Sequence, residues 1–329
     1  MNQTTDTLPS YGRAGLGCMG MSGVYGPADE TESIATIHAA LDAGITLLDT
    51  GDFYGMGHNE LLISRAVEGR RRDAYQLSVK FGAQRGPDGS WLGYDASPSA
   101  VKTAAAYSLQ RLRTDYIDVY RPARLDAEVP IEETIGAIAE LVQAGYVRSI
   151  GLSEVGAETI RRAAAVHPVA DLQIEYSLLS RGIEAEILPT CRELGIAITA
   201  YGILSRGLLS DSFQPGTPAQ PGDIRGRFPR FSDANAQHNA KLVNALRELA
   251  RAKGATVAQL AIAWVASRGD DVIPLIGARR RDQLAEALTG LALSLSEQDL
   301  AAIDEAAPAN AVRGDRYGAP QMADLDSER

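Results

Sequence analysis

Short apolar runs alternate with amphipathic stretches along the whole chain. The runs at 14–19, 45–50, 75–82, 116–123, 147–153, 172–176, 196–201 and 272–277 have the length and residue types of buried strands. Between them, 29–43, 59–68, 98–113, 131–144, 157–166, 184–194 and 256–267 carry apolar residues at the spacing of one helix face. Strands and helices in alternation predict a parallel sheet with right-handed crossovers, and eight such units can close into a (β/α)8 TIM barrel. An open doubly wound sheet is the competing architecture. Its dinucleotide-binding form would normally show a GxGxxG turn after the first strand, and none is present. Residues 203–233 break the rhythm: they are rich in proline and glycine, follow the seventh strand, and predict a long lid-like loop at the barrel rim.

Some helix starts have a local reason. Ser97 followed by Pro98 reads as an N-cap and first helical residue, and Glu132 and Glu133 after Pro130 suit the positive end of a helix dipole. Length then narrows the organisation. A barrel of this kind takes about 250 residues plus insertions, so the 329 residues predict one domain over 1–329, with flexible tails at 1–12 and about 318–329. A net charge of −10 lacks the concentrated cationic face that nucleic acid or an anionic membrane needs. The two cysteines, Cys18 and Cys191, imply no disulfide framework, and the polar N-terminus lacks a secretory apolar region, which points to a reducing cytoplasm. No stretch is apolar enough for a membrane span, and no histidine has metal-ligand spacing, so no metal is expected.

The chemistry concentrates in DTGDFYG, residues 49–55, and in Lys80 of LSVKFG. A tyrosine hydroxyl is a poor acid near neutrality because its ordinary pKa is about 10, so proton donation calls for a neighbouring cation. Lys80 can be that cation for Tyr54, and Asp49 can hold and orient the ammonium. Asp49 and Lys80 fall near the C-terminal ends of adjacent predicted strands, which in a parallel barrel is the catalytic rim. Singly, Tyr54 could be a packing aromatic, Asp49 a helix cap and Lys80 a solvated lysine; the coincidence of the three favours chemistry.

LGCMGMSG, DTGDFYGMGHNE, LSVKFG, VPIEETI, GLSE, QIEYS, AYGILSRGLL and IGARRRDQLAE occur in an order and spacing that resembles the aldo-keto reductase superfamily, from about Leu16 to about Tyr317. The resemblance implies that Asp49, Tyr54 and Lys80 are three members of a catalytic tetrad. The fourth, usually histidine, falls on Ala123, which cannot donate a hydrogen bond. A water, Arg121 or His58 could substitute in the substrate pocket, or Ala123 could widen it for a bulkier carbonyl.

The resemblance further implies NADPH as cofactor. Met19, Ser153, Gln173 and Tyr201 would serve the nicotinamide end, and Gly202, Ile203, Leu204, Ser205 and Arg206 the pyrophosphate. Gly277, Arg279, Arg280, Gln283 and Glu286 would serve the adenosine end. Three successive arginines oppose the dipole at their helix start, and an anion such as a 2′-phosphate would relieve that repulsion. The C-terminal stretch resembles the family's variable tail over the catalytic rim, covering the substrate pocket, where Arg316 or Tyr317 could touch substrate. The expected activity is reduction of an aldehyde or ketone by hydride transfer with Tyr54 as proton donor. The alternative is an NADPH-binding sensor resembling potassium-channel β subunits, and a non-redox lyase or isomerase is the third reading. A small-molecule carbonyl is the expected partner, and a homo-oligomer is compatible with the sequence.

Overall fold

The computed structural model describes residues 12–216 and 223–328. Eight strands close into a parallel barrel: β1 (Gly15–Gly17), β2 (Leu47–Gly51), β3 (Gln76–Phe81), β6 (Ile117–Pro122), β7 (Val147–Ser153), β8 (Val169–Glu175), β9 (Ala197–Tyr201) and β10 (Val272–Ile276). Round the ring the order is β1, β10, β9, β8, β7, β6, β3, β2, which is the predicted TIM architecture and excludes the open sheet. The intervening strands β4 (Ala83–Arg85) and β5 (Trp91–Tyr94) form a small antiparallel hairpin above β3 that the sequence reading did not contain.

Helices α1 (Glu30–Asp42), α2 (His58–Ala66), α3 (Pro98–Leu112), α4 (Ile131–Gln143), α5 (Ala157–Val166) and α6 (Ile187–Leu194) follow successive barrel strands. The helices α7 (Asp233–Ala252) and α8 (Val257–Ala266) separate β9 from β10, after which come α9 (Arg281–Ala292), α10 (Glu297–Ala306) and α11 (Ala319–Ala323). Ser97 caps α3 through the amide of Ala100 with Pro98 in the first turn, as expected. Thr256 and Gln259 form a reciprocal capping box on α8.

The barrel interior is layered, and the layering follows from strand register. At the bottom, Leu47, Val119 and Ile273 make a buried apolar plug separate from the main core between barrel and helices. Side chains two residues further along a strand return to the same face. Asp49 therefore stands above Leu47, and Arg121 above Val119. Register pairs Asp49 with Ser78 and places Lys80 two residues beyond on the same face. A fully buried polar layer results: Arg121 donates to Asp171 at 3.0 Å and to Ser78 at 3.0 Å, and Thr199 also donates to Asp171. Gly151 is required by this layer, because a Cβ there would lie 2.6 Å from Asp171 Oδ1 and 2.9 Å from Arg121 Nε.

The C-terminal stretch lies over the rim, the place expected of it, and is docked there: Leu325 is buried, Asp326 accepts from the Gly156 amide at 2.8 Å, and Ser327 donates to Glu154 at 2.8 Å. No helix among the described residues is long and apolar enough to cross a membrane.

Candidate active site

The centre of the rim is built from three strands. Lys80 on β3 donates to Asp49 on β2 at 2.5 Å and to the Gln173 carbonyl on β8 at 2.8 Å. Gln173 returns its amide to the other Asp49 oxygen at 2.6 Å, and Ser78 reaches that oxygen at 2.9 Å. Both carboxylate oxygens and the ammonium are thereby held in place inside the barrel. Burial disfavours the charged ammonium and lowers the Lys80 pKa, while Asp49 opposes the fall.

Tyr54 lies on the loop from β2 to α2. Its amide donates to Gly51 O at 3.0 Å, and its carbonyl receives the Asn59 amide at 3.2 Å, so a short turn fixes it beside the ammonium. The Lys80 nitrogen sits 5.2 Å from the Tyr54 ring centroid. The expected direction of the phenol's shift is corrected here. Burial and the charge of Asp49 push the Tyr54 pKa well above its ordinary value, and the foremost cation opposing that rise is Arg124. Lys80 is compensated by Asp49, which leaves its field at the phenol weak.

Ala123 directly follows β6 and is buried. The two substitutes named from the sequence do not sit beside it. Arg121 is fully buried in the polar layer below, because strand alternation turns it inward onto Asp171. His58 is the first residue of α2 and faces outward, with its ring nitrogens 2.9 Å from Ser22 Oγ and 2.7 Å from Glu30 Oε1. It lines a surface hollow with Leu61, Ser64, Arg65 and Arg113. The side chain that does reach the mouth is Arg124, which donates to Ala123 O at 2.6 Å and to the Tyr317 hydroxyl at 3.3 Å.

A network of buried charges that the sequence did not disclose surrounds these groups. Glu154, in a left-handed conformation at φ 54°, pairs with Arg316 and accepts the Tyr201 hydroxyl at 2.7 Å. Arg316, well over this carboxylate, holds its pKa far below the usual range despite burial. Glu175 pairs with Arg206 at 3.0 Å, Arg316 at 3.4 Å and Arg230 at 3.5 Å. Tyr317 stacks under Arg206 and meets the Tyr201 hydroxyl at 2.9 Å. Arg124 and Arg230 lay in none of the quoted motifs, and Glu175, inside QIEYS, was not singled out. Arg316 stood in the tail, whose docking depends on contacts across the fold.

The expected cofactor residues follow the C-terminal ends of β1 and of β7 to β10. Ser153 ends β7, and its buried hydroxyl has no partner among the described residues. Tyr201 ends β9, and the turn after it carries positive φ at Gly202, Ser205 and Arg206. The long loop reaches the loop after β1, where Asp223 bridges Tyr25. Met19 opens the turn Met19–Ser22 just past β1. At the start of α9, Arg279 donates to the carbonyls of Tyr25, Gly26 and Pro27, and its amide donates to Gln283. Arg280 pairs with Asp282 and Arg281 with Glu32, so carboxylates relieve part of the repulsion read from the sequence. Glu286 accepts from Thr256, and Gly277 follows β10 directly. Among the described residues no group of three or more histidine, cysteine or acidic side chains could hold a metal ion.

The profile of the Aldo/keto reductase family matches residues 13–308. The chain is 42% identical over 308 residues to the probable aldo-keto reductase 1 of Glycine max, covering 93% of this chain and 88% of that protein. Its fold is similar to the glycerol dehydrogenase of Gluconobacter oxydans, with a TM-score of 0.83, 29% identity, and coverage of 91% of this chain and 94% of the other. It is also similar to an aldo-keto reductase of Klebsiella pneumoniae crystallised with NADPH, with a TM-score of 0.72, 28% identity and coverage of 93% and 94%. The chain belongs to the Aldo/keto reductase family and is an oxidoreductase.

Proposed function

We propose that the protein reduces an aldehyde or ketone to an alcohol, with Tyr54 as the proton donor. The observation that carries this reading is the Lys80–Asp49–Gln173 cluster set beneath the Tyr54 ring. NADPH, when bound, supplies hydride to the carbonyl carbon. The Tyr54 hydroxyl then gives its proton to the carbonyl oxygen as that oxygen gains charge. Lys80 and Asp49 are positioning groups for this step, since their mutual pairing fixes the floor under the ring.

The residues present fit the cofactor. The orphaned Ser153 hydroxyl needs a polar partner and would hold the nicotinamide carboxamide together with Gln173. Tyr201 would face the ring, the turn Gly202–Arg206 would line the pyrophosphate, and Arg279, Arg280, Gln283 and Glu286 would serve the adenosine end. Tyr54→Phe should bind NADPH, seen as a fluorescence change, yet lose nearly all carbonyl-dependent absorbance decay. Wild-type turnover in that variant refutes the assignment.

A sensor reading is favoured by one observation, the methyl group of Ala123 where a donor is usual. Loss of one donor aimed at a developing oxyanion costs about two to three orders of magnitude in rate. NADPH binding without turnover across an aldehyde panel would select that reading.

A further inference from the structure

Arg124 differs from the other arginines gathered at the rim. Arg206, Arg230 and Arg316 each reach a buried carboxylate, either Glu154 or Glu175, and Arg316 also meets Glu328. Arg124 has no carboxylate within ion-pair distance among the described residues. Its two contacts are to neutral oxygens, Ala123 O and the Tyr317 hydroxyl. A guanidinium has five N–H donors in a planar fork, so three are left. The carboxylates nearby, Glu154, Glu175 and Asp49, are each bound by other cations, so none of them takes these donors. Burial disfavours this cation, although the fields of Tyr201, Tyr317 and Glu154 more than offset that and raise its pKa. The half-buried fork therefore keeps unspent donors, for which an anion is a stronger partner than water.

Its place in the ring says what that group belongs to. Arg124 follows β6, and β6 stands four strands from β10 in either direction round the barrel. It is therefore across the mouth from Arg279 and Arg280 and from the expected adenosine end of the cofactor. It lies on the Tyr54 side: Arg124 opposes the Tyr54 shift and also acts on Lys80. An anion held there would be next to the reacting carbonyl.

We propose that Arg124 binds a carboxylate carried by the substrate, so that the enzyme's carbonyl substrates are oxo acids or aldehyde acids. The proposal rests on the reductase reading for its chemistry and deepens it by naming the substrate class. The carboxylate takes two of the remaining donors of the fork in a bidentate pair, beside Tyr317.

The test compares 4-oxobutanoate with its methyl ester, which differ in the charge and keep the aldehyde. In wild type, kcat/KM for the acid should exceed that for the ester by about tenfold or more, and Arg124→Ala should cut the acid-to-ester ratio by about 10- to 100-fold. In parallel, calorimetric titration of the NADP+ complex with 4-hydroxybutanoate and with its methyl ester should give the same preference, lost in the variant. Where Arg124→Ala does not fold, Arg124→Gln takes its place. A ratio that Arg124→Ala leaves unchanged, or equal use and equal binding of acid and ester by wild type, overturns the proposal. Absence of turnover with both aldehydes, together with Arg124-dependent binding of the hydroxy acid, upholds the carboxylate site while removing the reductase reading.

Discussion

Lys80 and Asp49 meet at 2.5 Å because their strands are in register: Asp49 stands opposite Ser78, and Lys80 is the next residue along β3 to face the barrel interior. The pairing is therefore a property of the closed sheet and holds before any ligand arrives. Lys80→Met should leave Asp49 buried without its cation and lower kcat by about 100-fold or more, with NADPH fluorescence titration preserved. Retained kcat in a folded variant would remove Lys80 from the mechanism.

Arg121 supplies a contrast. From the sequence it was a candidate donor to the carbonyl oxygen, but its guanidinium is sealed in the layer beneath, on Asp171 and Ser78. Arg121→Met should cost about 3–5 kcal/mol in stability by stranding Asp171. A urea titration reads the loss directly. A normal unfolding midpoint combined with a large fall in kcat would return Arg121 to the pocket.

The closed barrel, its strand positions and the Asp49, Tyr54 and Lys80 constellation were legible because they depend on local pattern and on register, which period-two alternation carries. What was not legible depended on partners far apart in sequence. Glu154 and Arg316 are separated by 162 residues, and nothing near either announces the other. The hairpin of β4 and β5 was hidden by short strands with mixed exposure. His58 misled for a simpler reason. It sits four residues from Tyr54, but the helix that starts at His58 turns its ring away onto Glu30.

The Glu154 pair predicts that the C-terminal segment is held by charge. Glu154→Gln removes the carboxylate that Arg316 and Ser327 share, so the segment from Arg316 onward should loosen. Limited trypsin digestion should cut the variant after Arg316 while wild type resists. Equal resistance would mean that Leu325 and Asp326 suffice to hold the segment.

Asp52 predicts a pH dependence of stability. Burial, with Glu60 adding repulsion and Arg111 opposing it, raises its carboxyl pKa to about 7 from an ordinary value of 3.8. The folded protein therefore holds more protons than the unfolded chain between those values, and stability falls as pH rises through that window. The integrated effect is no more than about 4 kcal/mol. Asp52→Asn should flatten the dependence between pH 5 and pH 8 in urea midpoints. An unchanged slope would assign the effect elsewhere.

Cofactor choice turns on how Arg279 and Arg280 are already engaged. Arg279 spends a donor group on three carbonyls of the segment 25–27, so replacing it would disturb the strap between the loops after β1 and β9 as well as any phosphate contact. Arg280 is the cleaner probe. Its partner Asp282 is an exposed neighbour two residues on, and a surface pair of this kind is worth little and exchanges readily. A phosphate monoester offers the same fork a doubly charged acceptor. Arg280→Ala should therefore weaken NADPH by about 10- to 100-fold while changing NADH binding by less than about threefold. Equal weakening of both dinucleotides would show that the arginine supports the cofactor site in general, and that the 2′-phosphate is met by another group.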